Sequence, residues 1–117
     1  MNDAVRTISC VDRLIHEPAR LMLLALLYGV DRADFLYLLN ESGMTKGNLS
    51  SHLAKLQDAG YIEIAKGFRG KIPYTLVRLT PRGSHAFDRY RAQLKAIASG
   101  LNTRATPRKS ANPCWTS

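Results

Sequence analysis

Acidic residues are scarce in this sequence. Nine Asp and Glu stand against 17 Lys and Arg in 117 residues, so the formal net charge is +8 at pH 7. Acidic residues outnumber basic ones six to four in residues 1–44, whereas basic residues prevail six to two in 45–80 and seven to one in 81–117. This asymmetry favours a polyanionic partner for the second half of the chain. A high charge also serves solubility, and charge alone does not choose between the two interpretations.

Cysteine and histidine are also rare. Cys10 and Cys114 have neither the number nor the spacing of a disulfide framework. His16, His52 and His85 lack close ligand partners in the sequence, so we expect no metal site. No Ser/His/Asp or Cys/His set, phosphate-cradling glycine loop or pair of carboxylates can be assembled. We therefore expect a protein that is not an enzyme and uses no cofactor.

Long apolar runs are missing. The longest, LMLLALLYGV at 21–30, has about half the length that a bilayer requires. Charged residues interrupt the first twenty positions, so no secretory signal is visible. These features predict a cytoplasmic protein without a membrane segment. We expect a single domain over residues 1–101 and a basic, disordered tail over residues 102–117, where small polar residues and prolines prevail.

Hydrophobic periodicity predicts a helical first half. A short amphipathic helix is expected within residues 5–15, and Pro18 starts an apolar helix that belongs at the centre of the core. Asp34 is suited to open the next helix, which Gly43 ends. A short junction then leads to Thr45, a good N-cap, as a helix-turn-helix requires.

The hydrophobic period changes after the helix that Thr45 caps, which is the third helix when counted from Pro18. Its buried face is fixed by Leu49, Leu53 and Leu56, and Gly60 ends it. Ile62 and Ile64 then alternate with polar residues, as do Val77 and Leu79 in a second run, which predicts two strands joined by the basic loop GFRGKIP.

A last helix completes the expected order of elements. Thr80 and Pro81 form an N-cap and a first-turn proline, and the helix can run to Gly100. The predicted fold is mainly α with a small β-hairpin: a winged helix-turn-helix with an extended C-terminal helix.

The polar face of the third helix and the tip of the hairpin are suited to contact DNA. Small polar residues opposite the leucine stripe can approach base edges, and lysines can meet phosphates. An arginine on a protruding loop fits the narrow, electronegative minor groove. The predicted DNA-binding residues are Lys46, Asn48, Ser50, Ser51, Lys55, Arg69 and Lys71.

Simpler interpretations of these residues remain open. A solvated helix face has a similar composition, and a basic hairpin tip can serve solubility alone. Asn48 could read a base or merely help to cap the helix start. His52, at the margin of the leucine stripe, is better explained as a packing or hydrogen-bonding residue at the boundary than as a base reader.

The last helix carries an apolar stripe with spacings of three and four residues, the pattern of a helix-pairing seam. The predicted dimerisation residues are Phe87, Tyr90, Leu94 and Ile97. The alternative is that this stripe packs only on the N-terminal helices of the same chain. We favour a homodimer, because a long helix on so small a domain would otherwise expose aromatic surface.

These residues carry a resemblance to a known group. The stretch TKGNLSSHLAKLQDAGYI, followed by a Gly/Arg/Lys wing and LTPRG, resembles the small winged-helix transcriptional regulators related to the MarR and ArsR groups, over roughly residues 13–90. The resemblance implies a dimeric regulator whose third helix enters the major groove of DNA while the wing contacts the backbone or minor groove. The cysteine pair of the metal-sensing branch is absent from the helix that precedes Thr45.

Two functions compete at this point. The first is a homodimeric, sequence-specific regulator of transcription that binds double-stranded DNA and acts as a repressor; no effector ligand is identified. The second is a winged-helix module that binds protein and touches nucleic acid only non-specifically. Large exposed apolar residues on the helix face and the wing would favour the second, and we expect none there.

The salt dependence of DNA binding tests the predicted phosphate contacts. The logarithm of the binding constant should fall with the logarithm of salt concentration, with a slope of about −0.9 per phosphate neutralised. Lys71→Ala should make this slope shallower on all sequences alike. An unchanged slope, measured by titrations at several salt concentrations, would remove Lys71 from the contacts.

Overall fold

The computed structural model describes residues 10–101, which form four helices and a three-stranded antiparallel sheet. The helices are α1 (Pro18–Val30), α2 (Phe35–Ser42), α3 (Lys46–Asp58) and α4 (Pro81–Leu101), and the strands are β1 (Arg32–Asp34), β2 (Ile62–Arg69) and β3 (Ile72–Leu79). The winged-helix fold predicted from the sequence is confirmed. Residues 10–17 form turns and bends rather than a helix, whereas the remainder of the helix expected within residues 5–15 and the predicted tail lie outside the described residues.

Local capping interactions explain where the helices begin. The carboxylate of Glu17 accepts a hydrogen bond from the Arg20 amide at 2.9 Å. Asp34 accepts one from the Tyr37 amide at 2.7 Å, and Thr80 accepts one from the Gly83 amide at 2.9 Å. Each cap satisfies an amide that the first helical turn leaves unpaired.

The sheet contains one strand more than the sequence indicated. Its order is β1-β3-β2, and β1 pairs with the inner end of β3 through Arg32–Arg78, Ala33–Val77 and Asp34–Leu76. The hairpin is also longer than expected. Pairing of β2 with β3 continues to Arg69 and Ile72, so residues assigned to a loop are strand residues, and Gly70 makes the turn at φ +64°.

The core lies between the three short helices, the inner half of the sheet and the start of α4. The inward-facing leucines of α1, α2 and α3 are fully buried, as are Ile62 and Val77 of the hairpin; these leucines are Leu23, Leu24, Leu27, Leu38, Leu49 and Leu56. Phe87 and Tyr90 of α4 belong to the same core. The outer half of the hairpin projects beyond β1 and contributes little to this core.

A tight junction holds α4 against the base of the hairpin. The Thr80 amide donates to the carbonyl oxygen of Tyr61 at 3.1 Å, and the Thr80 hydroxyl donates to the carbonyl oxygen of Gly60 at 2.6 Å. Gly83 lies so close that a Cβ atom there would stand 2.1 Å from the Tyr61 carbonyl oxygen. Only glycine fits at this position without displacing α4 from the hairpin.

The close approach at Gly83 gives a stability prediction. Gly83→Ala should lower the free energy of unfolding by about 1–3 kcal/mol, the usual cost of overpacking. Gly29→Ala is the matched control, because Gly29 lies in α1 and a Cβ atom there would have no neighbouring atom within 4 Å. This substitution should stabilise the protein by about 0.5–1 kcal/mol, since alanine is a better helix former than glycine. Urea denaturation measures both. Equal effects of the two substitutions would contradict the packing argument.

Candidate nucleic-acid interface

The rotation of α3 about its axis determines which side chains it presents to solvent. Leu49, Leu53 and Leu56 are buried on one side, so the opposite side faces outward. The five predicted DNA-binding residues of this helix are all exposed, namely Lys46, Asn48, Ser50, Ser51 and Lys55. Within the described residues, none of their side chains makes a hydrogen bond or an ion pair. Their donors and acceptors are therefore available to an external partner.

The hydrogen bonds at the start of α3 distinguish between the two possible roles of Asn48, base reading and helix capping. The backbone amide of Asn48 donates to the Thr45 side-chain oxygen at 3.2 Å, so Thr45 supplies the cap. The Asn48 side chain is exposed and takes no part in this interaction. The capping interpretation of the asparagine side chain therefore has no support in the structure.

His52 occupies the boundary position expected for it. Its Nδ1 atom lies 3.3 Å from Nη1 of Arg20 and 3.7 Å from a carboxylate oxygen of Glu17. Arg20 also donates through Nε to the Leu14 carbonyl oxygen at 2.6 Å. The hydrogen bond from the Arg20 amide is the largest of the effects that lower the pKa of Glu17, so this carboxylate is negatively charged at neutral pH. The cluster links α3 to the start of α1.

The wing holds its predicted arginine in place. The Arg69 guanidinium lies over the ring of Tyr74, with its carbon 5.1 Å from the ring centroid. Tyr74 in turn packs on Gly67, where a Cβ atom would stand 3.2 Å from the tyrosine ring. Lys71 is exposed at the turn. Such a cation–π contact stabilises the extended position of the arginine along one face of the ribbon.

A groove separates α3 from the wing. It has a volume of about 500 Å³, and its walls come from the helix and from the hairpin face that looks toward the helix. The residues on these walls include Ser50, Ala54 and Gln57 of α3 and Ile64, Lys66 and Thr75 of the hairpin. Of this set, only Ser50 is among the residues predicted from the sequence to bind DNA. The strand register, which pairs Lys66 with Thr75, brings the hairpin residues to the groove.

The wing also exposes large apolar side chains, contrary to expectation. Phe68 is 72% exposed and Ile72 is 70% exposed. Ile72 lines a second groove of about 500 Å³ with Leu36 of α2, which is itself 63% exposed. The outward face of α3 has no such residue, because its exposed positions are polar or small. The prediction that apolar anchors are lacking is correct for the helix and wrong for the wing.

The four predicted dimerisation residues fall into two pairs. Phe87 and Tyr90 are buried in the core of their own chain. The centroid of the Phe87 ring lies 5.0 Å from that of the Tyr28 ring, and the Tyr90 hydroxyl is 2.7 Å from Nδ1 of His16. Leu94 is 38% exposed and Ile97 is partly buried. The alternative of packing within the chain thus describes the first pair. In the second pair Ile97 still packs against the core, and Leu94 is open to a partner.

The described residues offer no basis for two other kinds of site. Among residues 10–101, no group of three or more His, Cys, Asp or Glu side chains is placed to hold a metal ion. Within the same range, no helix combines the length and the hydrophobicity needed to cross a bilayer.

Comparison with known proteins identifies the family. The family model described as a winged helix DNA-binding domain matches residues 19–98, and the chain belongs to this family. An uncharacterised protein of Methanocaldococcus jannaschii is 31% identical over 90 residues, which cover 76% of this chain and 97% of that protein. The predicted resemblance to winged-helix regulators is confirmed by the family match and by solved structures.

Three solved structures share the fold. A transcriptional regulator homologue from Pyrococcus horikoshii OT3 superposes with a TM-score of 0.74 at 28% identity, over 79% of this chain and 91% of that one. A MarR-family transcriptional regulator from Silicibacter pomeroyi gives a TM-score of 0.59 at 22% identity, over 89% and 69% of the two chains. NadR, solved in complex with 4-hydroxyphenylacetate, gives 0.56 at 19% identity, over 71% and 57%. The last two comparisons concern the fold alone.

Proposed function

We propose that this protein is a sequence-specific regulator of transcription that binds double-stranded DNA as a homodimer. The observation that carries the proposal is the outward face of α3, whose polar side chains are exposed without partners within residues 10–101, beside a basic ribbon. Family membership and the regulator homologue from Pyrococcus horikoshii support DNA binding and regulation. The cytoplasmic location is part of the proposal, since a regulator must share a compartment with its DNA. No catalysis is assigned.

The proposed contacts divide by chemistry. Asn48, Ser50 and Ser51 would meet base edges in the major groove, where an asparagine amide can pair in bidentate fashion with adenine. Lys46 and Lys55 would bind phosphates, together with the free amides of the helix start. The groove between α3 and the wing would hold one strand of the backbone, so that Arg69 and Lys71 reach the adjacent minor groove.

A dimer would place two such faces on one duplex. Leu94 and Leu101, which is 56% exposed, continue the stripe of α4 beyond the core, and Met22 and Val30 of α1 are also more than two-fifths exposed. Burial of this apolar surface would favour association of two copies. The dimer would act as a repressor, because a protein bound over a promoter blocks polymerase from the DNA that it covers.

A second candidate function is recognition of a protein by the wing. It is favoured by the groove that Leu36, Ile72, Pro73 and Tyr74 line, where apolar surface predominates. Selection from a random DNA library distinguishes the two candidates. Enrichment of a near-palindrome with half-sites about 10–10.5 base pairs apart would support the dimeric regulator, and the lack of any enriched sequence would favour protein recognition.

The role of Asn48 gives the sharpest test of sequence-specific binding. Asn48→Ala should weaken binding to the selected operator by about 1–3 kcal/mol and relax the preference at one position in each half-site. Its effect on non-specific DNA should be small, because the amide carries no charge. Binding to a series of single-mismatch operators measures both effects, and an unaltered order of preferred sequences would refute base reading.

Two controls accompany this measurement. Lys55→Ala should weaken binding to all sequences together, since a phosphate contact carries no sequence information. Thr45→Ala should lower the stability of the fold by about 0.5–2 kcal/mol, because Thr45 is the cap, whereas Asn48→Ala should leave the melting temperature nearly unchanged.

The proposed dimer is tested at Leu94. Leu94→Glu should yield a folded monomer with weak DNA affinity, because a carboxylate cannot be buried cheaply in an apolar interface. Since Leu94 is 38% exposed in the single chain, the substitution should spare the core. Sedimentation measures the mass, and circular dichroism checks the fold. A wild-type protein that sediments as a monomer at micromolar concentration would contradict the dimer.

A further inference from the structure

The exposed phenylalanine at the end of the wing calls for a partner. Phe68 is 72% exposed, more than any other large apolar residue of the described chain. It lies near the turn, on the part of the hairpin that extends past β1. Its strand partner is Pro73, which is also exposed, so no neighbouring strand or helix covers the ring. Leaving such a ring in water forgoes burial energy, which a binding partner could recover.

The strand register places Phe68 on the side of the ribbon that faces α3. Alternate residues of a strand point to the same side, so Phe68 follows Lys66 on the face that lines the groove beside the recognition helix. Arg69 and its partner Ile72 point to the opposite side, where Arg69 is held over Tyr74. Phe68 therefore stands at the outer end of the groove proposed to hold a DNA strand, and Ile72 does not.

Charge selects the kind of partner. No Asp or Glu occurs between Glu63 and Asp88, whereas Lys66, Arg69 and Lys71 lie on either side of Phe68 in the sequence of the hairpin. The two apolar residues of the tip, on opposite faces, do not form the single patch of about 800 Å² per partner that a standard protein interface uses. A narrow basic ribbon with one protruding ring instead matches a nucleic-acid groove bordered by phosphates.

We infer that Phe68 inserts between neighbouring base pairs from the minor groove when the protein is bound, partly unstacking them and bending the duplex. This inference rests on the proposed DNA binding and adds a mechanical role to the wing. Apolar side chains inserted in this way kink DNA by roughly 20–90° toward the major groove. Flexible pyrimidine–purine steps would be easiest to open, so Phe68 would select sequence at positions that no hydrogen bond reads.

Two readouts on the selected operator test the insertion. Bending is measured by fluorescence energy transfer between the ends of the duplex at saturating protein. Unstacking is measured with 2-aminopurine, which becomes brighter when unstacked, substituted in turn for each adenine flanking the half-sites. Wild-type protein should bend the duplex by at least ~20° and brighten the probe at one step per half-site. Phe68→Ala should abolish both signals while the recognition helix still binds, and Phe68→Leu should restore much of them.

Ile72→Ala is the matched control, because Ile72 is 70% exposed at the same tip but on the other face, and it should keep both signals. Unchanged bending and fluorescence in Phe68→Ala would overturn the insertion while leaving the proposed function intact. A loss of self-association in Phe68→Ala, seen by sedimentation without DNA, would also overturn it by showing a protein contact. A wild-type protein that binds no duplex would instead refute the proposed function, and the insertion with it.

Discussion

Burial of three leucines on one side of α3 is the interaction on which the remaining arrangement depends. Leu49 and Leu56 are completely inaccessible to solvent and Leu53 nearly so, and each contributes about 1.5–3 kcal/mol relative to an exposed side chain. Rotating the helix by one residue, about 100°, would expose leucine and bury polar side chains such as Asn48 or Ser50 without partners, at about 1–3 kcal/mol each. The outward presentation of the polar face is thus a consequence of the core.

A second constraint determines where the hairpin lies relative to that helix. Gly60, at φ +80°, ends α3, and the next residue, Tyr61, leads into β2. The carbonyl oxygens of both residues accept hydrogen bonds from Thr80, and Gly83 packs on the second of them. One short segment therefore connects α3, the base of the hairpin and the start of α4. This junction holds the base of the hairpin next to the end of α3.

The parts of the fold that depend on local chemistry could be predicted from the sequence. Asp34, Thr45 and Thr80 each accept an amide three residues onward, so helix starts could be recognised from a few adjacent positions. β1 could not, because Arg32–Asp34 is only three residues long with a single apolar residue, too short to show a period, and it becomes a strand by pairing with β3.

The same distinction holds for the candidate site. The exposed face of α3 follows from the spacing of its leucines, so its residues could be proposed from the sequence. The groove could not, since Gln57 and Thr75 come from separate elements and meet only through tertiary packing. The apolar stripe of α4 likewise does not reveal that Phe87 and Tyr90 belong to the core while Leu94 is accessible, because periodicity marks a face and not what covers it.

The wing carries a supported arginine on one face and an exposed phenylalanine on the other, and the two differ in how they would contribute to binding. Arg69 is already held on Tyr74, and Tyr74 on Gly67, so this arginine would lose less conformational entropy in the proposed contact with DNA than a free arginine would. A Cβ atom at Gly67 would stand 3.2 Å from the tyrosine ring, so a larger residue there would require the ring that supports the arginine to shift. The phenylalanine on the other face has no such support. It does not require one, because the binding energy of an apolar ring comes from its transfer out of water and not from a fixed hydrogen-bond geometry. The arginine face of the wing is therefore suited to electrostatic attachment, and the phenylalanine face is suited to the proposed deformation of duplex DNA.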